Sequence, residues 1–140
     1  MKSWWKWFLP GYLLAAPGTA VGIILMLWYR PKCYYSSGCI EAVSSRTLIG
    51  GPWVGAQTFG NVIFYRDENM RKLNRLRIHE RVHAWQAMVM SWPIFMLLYG
   101  AHFLVLLATV DGTWVDAYRQ IWAERMAYSR ESRAGAWGDE

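Results

Sequence analysis

The sequence predicts an α+β membrane protein. It reads as an N-terminal transmembrane helix, a β-hairpin, a helix carrying a His-Glu-x-x-His motif, and a membrane-embedded helical hairpin followed by a C-terminal helix. Three observations carry this reading. Two apolar runs, residues 8–29 and 93–110, bracket the middle of the chain. Between them a stretch rich in β-branched and aromatic residues gives way, from Asp67 onward, to helical periodicity. Hydrophobic residues make up 54% of the 140, above the roughly 45–50% of soluble domains, with ten Trp and eight Tyr in the excess.

The first apolar run would reach ~33 Å as a helix, enough for a hydrocarbon core of about 30 Å. Lys6 flanks it on one side, Arg30 and Lys32 on the other, and Trp4, Trp5 and Trp7 suit an interfacial anchor. The run is too long for a cleaved signal peptide, so it reads as a retained anchor with a kink at Pro17-Gly18. Residues 1–32 thus form an N-terminal membrane anchor, and residues 33–140 a membrane-associated domain.

Residues 42–49 and 53–65 read as the two strands of a hairpin divided by Gly50-Gly51-Pro52, with Gly55 and Gly60 marking bulges in the second strand. Cys33 and Cys39 leave two readings open, a disulfide closing a short loop or two free thiols. From Asp67, residues Leu73, Leu76, His79, Glu80, His83 and Ala87 form one helical stripe, ending near Trp92 where Pro93 interrupts. Arg71, Asn74, Arg75 and Arg81 fall on the other side, facing water or headgroups.

The run 93–110 is just long enough to span a bilayer, yet Tyr99-Gly100 divides it. A crossing there would carry the amphipathic helix at 114–132 to the side opposite the motif. We therefore read 93–110 as re-entrant or interfacial, bending near Tyr99-Gly100. The net charge of +5 suits anionic lipid headgroups, and no nucleic-acid module accompanies it, so nucleic acid is excluded as a partner.

The motif His79-Glu80-Arg81-Val82-His83 carries the chemistry. Residues four apart stack on one helical face, so both imidazoles can meet one zinc ion. Glu80 lies beside them, badly placed as a ligand but able to serve as the general base that takes a proton from water. With three histidines and six glutamates in the chain, the pattern arises in roughly 0.2% of shuffles, which argues against coincidence. A catalytic zinc normally has three protein ligands. Glu124 is the candidate third, between the small residues Ala123 and Ala127, with Glu131 or Asp116 as substitutes. Glu131, two turns on, is placed to orient a ligand histidine as a hydrogen-bond acceptor.

The segments His79-Glu80-Arg81-Val82-His83-Ala84-Trp85-Gln86 and Ala123-Glu124-Arg125-Met126-Ala127-Tyr128 resemble the gluzincin type of zinc metallopeptidase, most of all small bacterial proteins of that type. The stretch Gln57-Thr58-Phe59-Gly60-Asn61-Val62-Ile63-Phe64 is similar to the strand before the active-site helix in those proteins. The resemblance covers roughly residues 55–130. It implies a zincin-like domain at the bacterial inner membrane, with zinc on His79, His83 and Glu124 and Glu80 as general base. Thr58, Gly60 and Asn61 would belong to a strand that pairs with substrate. The chain departs from the pattern at Ile121-Trp122-Ala123, where relatives often place a proline.

The leading expectation is a membrane-anchored zinc metallopeptidase acting on a peptide or protein substrate among membrane lipids. The alternative is a non-catalytic accessory or scaffold subunit of a larger membrane complex. His102, inside the second apolar run, reads first as a hydrogen-bond partner for a neighbouring helix, and more weakly as a haem or pigment ligand. The side of the membrane stays open, since Arg66 to Arg81 favour the cytoplasm whereas Lys2, Lys6 and the cysteine pair favour translocation.

Overall fold

A computed structural model describes residues 9–36, 38–44, 46 and 54–136. In chain order it has helix α1 (Leu9–Tyr29), strands β1 (Lys32–Ser36), β2 (Cys39–Val43), β3 (Ala56–Phe59) and β4 (Val62–Tyr65), then helices α2 (Glu68–Lys72), α3 (Asn74–Met90), α4 (Trp92–Thr109), α5 (Trp114–Gln120) and α6 (Trp122–Ala136). This is an α+β fold. Two of its helices, α1 and α4, are long and apolar enough to cross a membrane by length and composition.

The sheet differs from the single hairpin expected. Two antiparallel hairpins, β1–β2 and β3–β4, join through a parallel β2–β4 pairing, giving the order β1-β2-β4-β3. The expected second strand is therefore two strands. Gly60 is a turn and not a bulge: its φ of 59° is the left-handed region that favours glycine. An added Cβ there would also stand 2.4 Å from the Thr19 nitrogen. Gly50-Gly51-Pro52 lies outside the described residues. Cys33 and Cys39 are free thiols, because the register sets Cys33 against Ala42 and Cys39 against Ser36.

Helix α1 runs unbroken through Pro17 and does not project from the domain. Its buried residues Gly11, Ala15, Gly18 and Gly22 recur at spacings of four, three and four and form one stripe. That stripe lets neighbouring side chains close on the helix backbone: a Cβ on Gly22 would fall 2.6 Å from Val62 Cβ. Ala15 and Tyr12 join the core between α3 and one sheet face, with Cys39, Ile63, Tyr65, Ala84 and Met88. Leu25 and Met26 cover the other face, over Ala42, Val62 and Phe64. Helix α1 and the residues after it thus share both of these cores.

The helical stretch from Asp67 is two helices. Leu73, with ψ of 107°, breaks it and is half exposed, so it leaves the expected stripe. The arginines depart further from expectation. Glu41, wholly buried on β2, draws in Arg71 (3.4 Å), Arg77 (3.1 Å) and Arg81 (3.4 Å). Arg71 and Arg81 therefore do not simply face solvent: a buried carboxylate must be paired, and they help to pair it.

Helix α4 also differs from expectation, being continuous through Tyr99-Gly100. A glycine inside a helix costs only about 1 kcal/mol, which the rest of this apolar helix absorbs. The chain instead reverses at residues 110–113, where Thr113 and Asp116 form a capping box that starts α5. The expected C-terminal helix is broken at Ile121, which is fully buried with Phe95 and Ala123 in a third core cluster.

Candidate metal centre

The cluster forms between α3 and α6. Ala123 and Ala127 are fully buried, and their small side chains bring α6 against the face of α3 that carries the histidines. His79, His83 and Glu124 are all buried, and one donor atom from each lies within 4.8 Å of the others. His79 Nε2 is 2.9 Å from Glu124 Oε2, His83 Nε2 is 3.2 Å from Glu124 Oε1, and the two Nε2 atoms stand 3.3 Å apart.

These spacings suit a metal. With bonds of about 2.0–2.1 Å, two donors of a tetrahedral zinc site stand about 3.3–3.4 Å apart. The opposite ring nitrogens strengthen the case. His79 Nδ1 lies 3.2 Å from the Glu131 carboxylate, and His83 Nδ1 lies 2.9 Å from Gln86 Oε1. Gln86 in turn donates through Nε2 to the Ala123 carbonyl at 3.2 Å, which leaves its oxygen for His83. Each Nδ1 thus faces an acceptor that can hold its proton, which frees each Nε2 to give a lone pair to a metal whenever the ring is neutral. Two imidazole nitrogens and a carboxylate converge on one point, a group that could hold a metal ion.

The electrostatics agree. Burial alone would raise the Glu124 pKa, but the hydrogen bonds from His79 and His83 overcome it and hold the carboxyl far below its ordinary value. Burial alone would lower that of His83, but the Glu124 carboxylate reverses this and lifts it to about 9. His79 is raised against its burial for the same reason. Positive charge is therefore favoured at this spot.

Glu80 is buried one residue beyond His79 and outside the ligand set. The Thr58 hydroxyl donates to its Oε2 at 2.6 Å, tying the carboxylate to β3. The bond from Arg66 N to the Gly55 carbonyl (2.9 Å) makes 55 and 66 a hydrogen-bonded pair. By antiparallel alternation, the backbone groups of Ala56 and Thr58 then point away from β4. Among the described residues no strand lies beyond β3.

Of the residues singled out from sequence, the structure brings together His79, Glu80, His83, Glu124, Glu131 and Thr58. Gly60 and Asn61 are not on the open edge. They form the β3–β4 turn, where Asn61 N bonds Thr19 Oγ1 and its carbonyl accepts from Ile40. Asp116 is engaged in capping α5, away from the cluster. His102 accepts from the Trp122 backbone N–H at 3.2 Å, the helix-to-helix role expected first.

Sequence reasoning assigned no role to Gln86 and read Tyr99 only as part of a break with Gly100. Tyr99 donates to Glu124 Oε1 at 2.6 Å, and the Tyr128 ring lies 4.6 Å from that of His79. Gln86 carried a signal, standing three residues after His83 and so on its face. Tyr99 carried none, since only the tertiary fold brings α4 to Glu124. No protein family, curated protein or solved structure matches this chain. The gluzincin resemblance therefore rests on the residues alone.

Proposed function

We propose that this chain is a membrane-attached zinc metallopeptidase, with His79, His83 and Glu124 as the zinc ligands and Glu80 as the general base. The observation that carries the proposal is the convergence of two imidazole nitrogens and a carboxylate at tetrahedral spacing, with Glu80 held beside them. Zinc bound there supplies Lewis acidity, acidifying water and polarising a peptide carbonyl.

The remaining steps belong to the protein. Glu131 and Gln86 fix the two rings, and Tyr99 fixes the Glu124 carboxylate. An extended peptide adds to the open edge of β3 through the backbone of Ala56 and Thr58, which sets its carbonyl near Glu80. Glu80 takes a proton from the water whose oxygen attacks the carbonyl carbon. The C–N bond then breaks, and Glu80 returns the proton to the departing amine.

Zinc analysis and cleavage of a peptide library test this. Purified wild type should hold about one zinc per chain, and Glu80→Gln should keep the zinc while losing about 10²–10⁴-fold in turnover. Undiminished turnover in that variant would assign the base elsewhere. The second reading, an accessory subunit that keeps the site without the chemistry, draws on the broad exposed apolar face of α4 as a surface for partners. Zinc-loaded wild type that cleaves nothing would favour it.

A further inference from the structure

We propose that α4 lies in the plane of one leaflet, its outer face in hydrocarbon and its inner face on the metal centre, and that the site acts on peptide segments lying at the membrane–water interface. The substrate class rests on the metallopeptidase reading, whereas the placement of α4 does not.

The two faces of α4 do different work. Ile94, Leu97, Leu98, Leu104 and Val105 are exposed, and no charged residue interrupts the helix from Trp92 to Thr109. Over 18 residues this makes an apolar face ~27 Å long, far more than isolated surface hydrophobics. The inner stripe is narrow and polar at two points. Phe95 packs 6.2 Å from the His83 ring, Tyr99 holds Glu124, and His102 holds the start of α6. Only the thickness of one helix, about 10 Å, separates the apolar face from the ligands.

Two neighbours of α4, helices α5 and α6, argue against a crossing. Helix α5 returns beside α4, with Tyr118 against Tyr99 at 6.5 Å, and exposes Asp116, Arg119 and Gln120. Helix α6 buries Glu124 at the level of Tyr99 but exposes Arg125, Ser129 and Arg130. If α4 crossed, these charges would stand in the hydrocarbon at the depth of its middle, where ionised side chains are costly. With α4 in the plane, the same charges sit on the water side. Arg119, Arg125 and Arg130 then meet lipid phosphates, and exposed Trp114 and Tyr128 suit the interface. One helix thickness above the hydrocarbon is the headgroup layer, so the peptide reached there is a stretch flanking a membrane anchor.

Single nitroxide labels at positions 94, 97, 101, 104 and 108 of the full chain, in phosphatidylcholine–phosphatidylglycerol vesicles, test the placement. Accessibility to oxygen and to a water-soluble nickel chelate should give all five one shallow depth, with a label at 119 at the headgroup level and one at 129 in water. A depth that peaks near position 101 and falls toward both ends would overturn it as a crossing. Low oxygen access at all five would overturn it as a face covered by protein. For the substrate, one library peptide is compared with and without a palmitoyl chain, in the same vesicles. The anchored form should be cleaved at least about tenfold more efficiently, and equal rates would overturn the substrate class. If zinc-loaded protein cleaves neither, the substrate class falls together with the peptidase reading, while the label depths still decide the placement of α4.

Discussion

Helix α3 carries two buried ionic clusters on different faces, and they are built on opposite principles. Toward the sheet, Glu41 is surrounded by Arg71, Arg77 and Arg81, with Ser36 accepting from both Arg77 and Arg81. Guanidinium donors meet every acceptor there. Toward α6, two imidazole nitrogens and a carboxylate face one another at 2.9–3.3 Å. The two carboxylates are equally buried, so burial does not distinguish a staple from a site. The chemistry of the partners does. Glu41 is held by permanently charged guanidiniums, whereas Glu124 faces imidazoles that can exchange a proton for a metal ion.

The largest effect should come from breaking the second cluster. His83→Ala protein should fold but retain almost no zinc after dialysis, against about one per chain in wild type, because structural-grade zinc affinity needs the full donor set. Normal zinc content in that variant would erase the contrast between the clusters. Next comes Glu41→Ala, which takes the carboxylate from Arg77 and Arg81, while Arg71 keeps Glu68 at 2.6 Å. Removing one partner of a buried pair costs about 3–5 kcal/mol, and the lower end applies because these arginines remain 13–24% exposed. Denaturant melts should show that loss with zinc content unchanged. Zinc loss from folded Glu41→Ala protein would mean that the clusters act as one.

The helix that brings His79 and His83 together was legible because one motif encodes both a helical face and a candidate chemistry. Glu124 was legible through its small neighbours Ala123 and Ala127, which invite close helix packing. The Glu41 cluster was not. Arg77 and Arg81 lie 36 and 40 residues from their carboxylate, and nothing local marks a charge that will be buried by so distant a partner. The parallel β2–β4 pairing was hidden for the same reason, since it joins two hairpins whose own turns are local. At Gly100 the error ran the other way, because a local break signal is weak beside a continuous apolar helix.

The third effect is smaller and tests how the site is held. Gln86→Ala removes the acceptor from His83 Nδ1, so the ring can turn or change tautomer while every ligand stays in place. Losing such a partner costs about 10–100-fold in metal affinity. Competition against a chelator of known affinity measures it. Gln86→Glu, which keeps an acceptor, should bind at least as tightly as wild type. An unchanged affinity in the alanine variant would show that packing against Phe95 and Tyr99 alone fixes the ring.

The smallest effect belongs to Thr58, whose hydroxyl ties the proposed base to β3. Its hydroxyl donates to a charged carboxylate, a bond worth about 1.5–3 kcal/mol, and it sits on a strand rather than a mobile loop. Thr58→Val keeps the shape of the side chain and removes the donor. Glu80 then keeps its charge and its burial but loses one fixed direction, so turnover should fall about tenfold, near the lower bound of that bond's worth. Zinc content should not change, because Thr58 touches no ligand. Thr58→Ser, which restores the hydroxyl, should restore turnover even though it loses the methyl packing. If valine and serine variants fell together, Thr58 would serve the packing of β3 on α3, and the orientation of Glu80 would come from the helix itself.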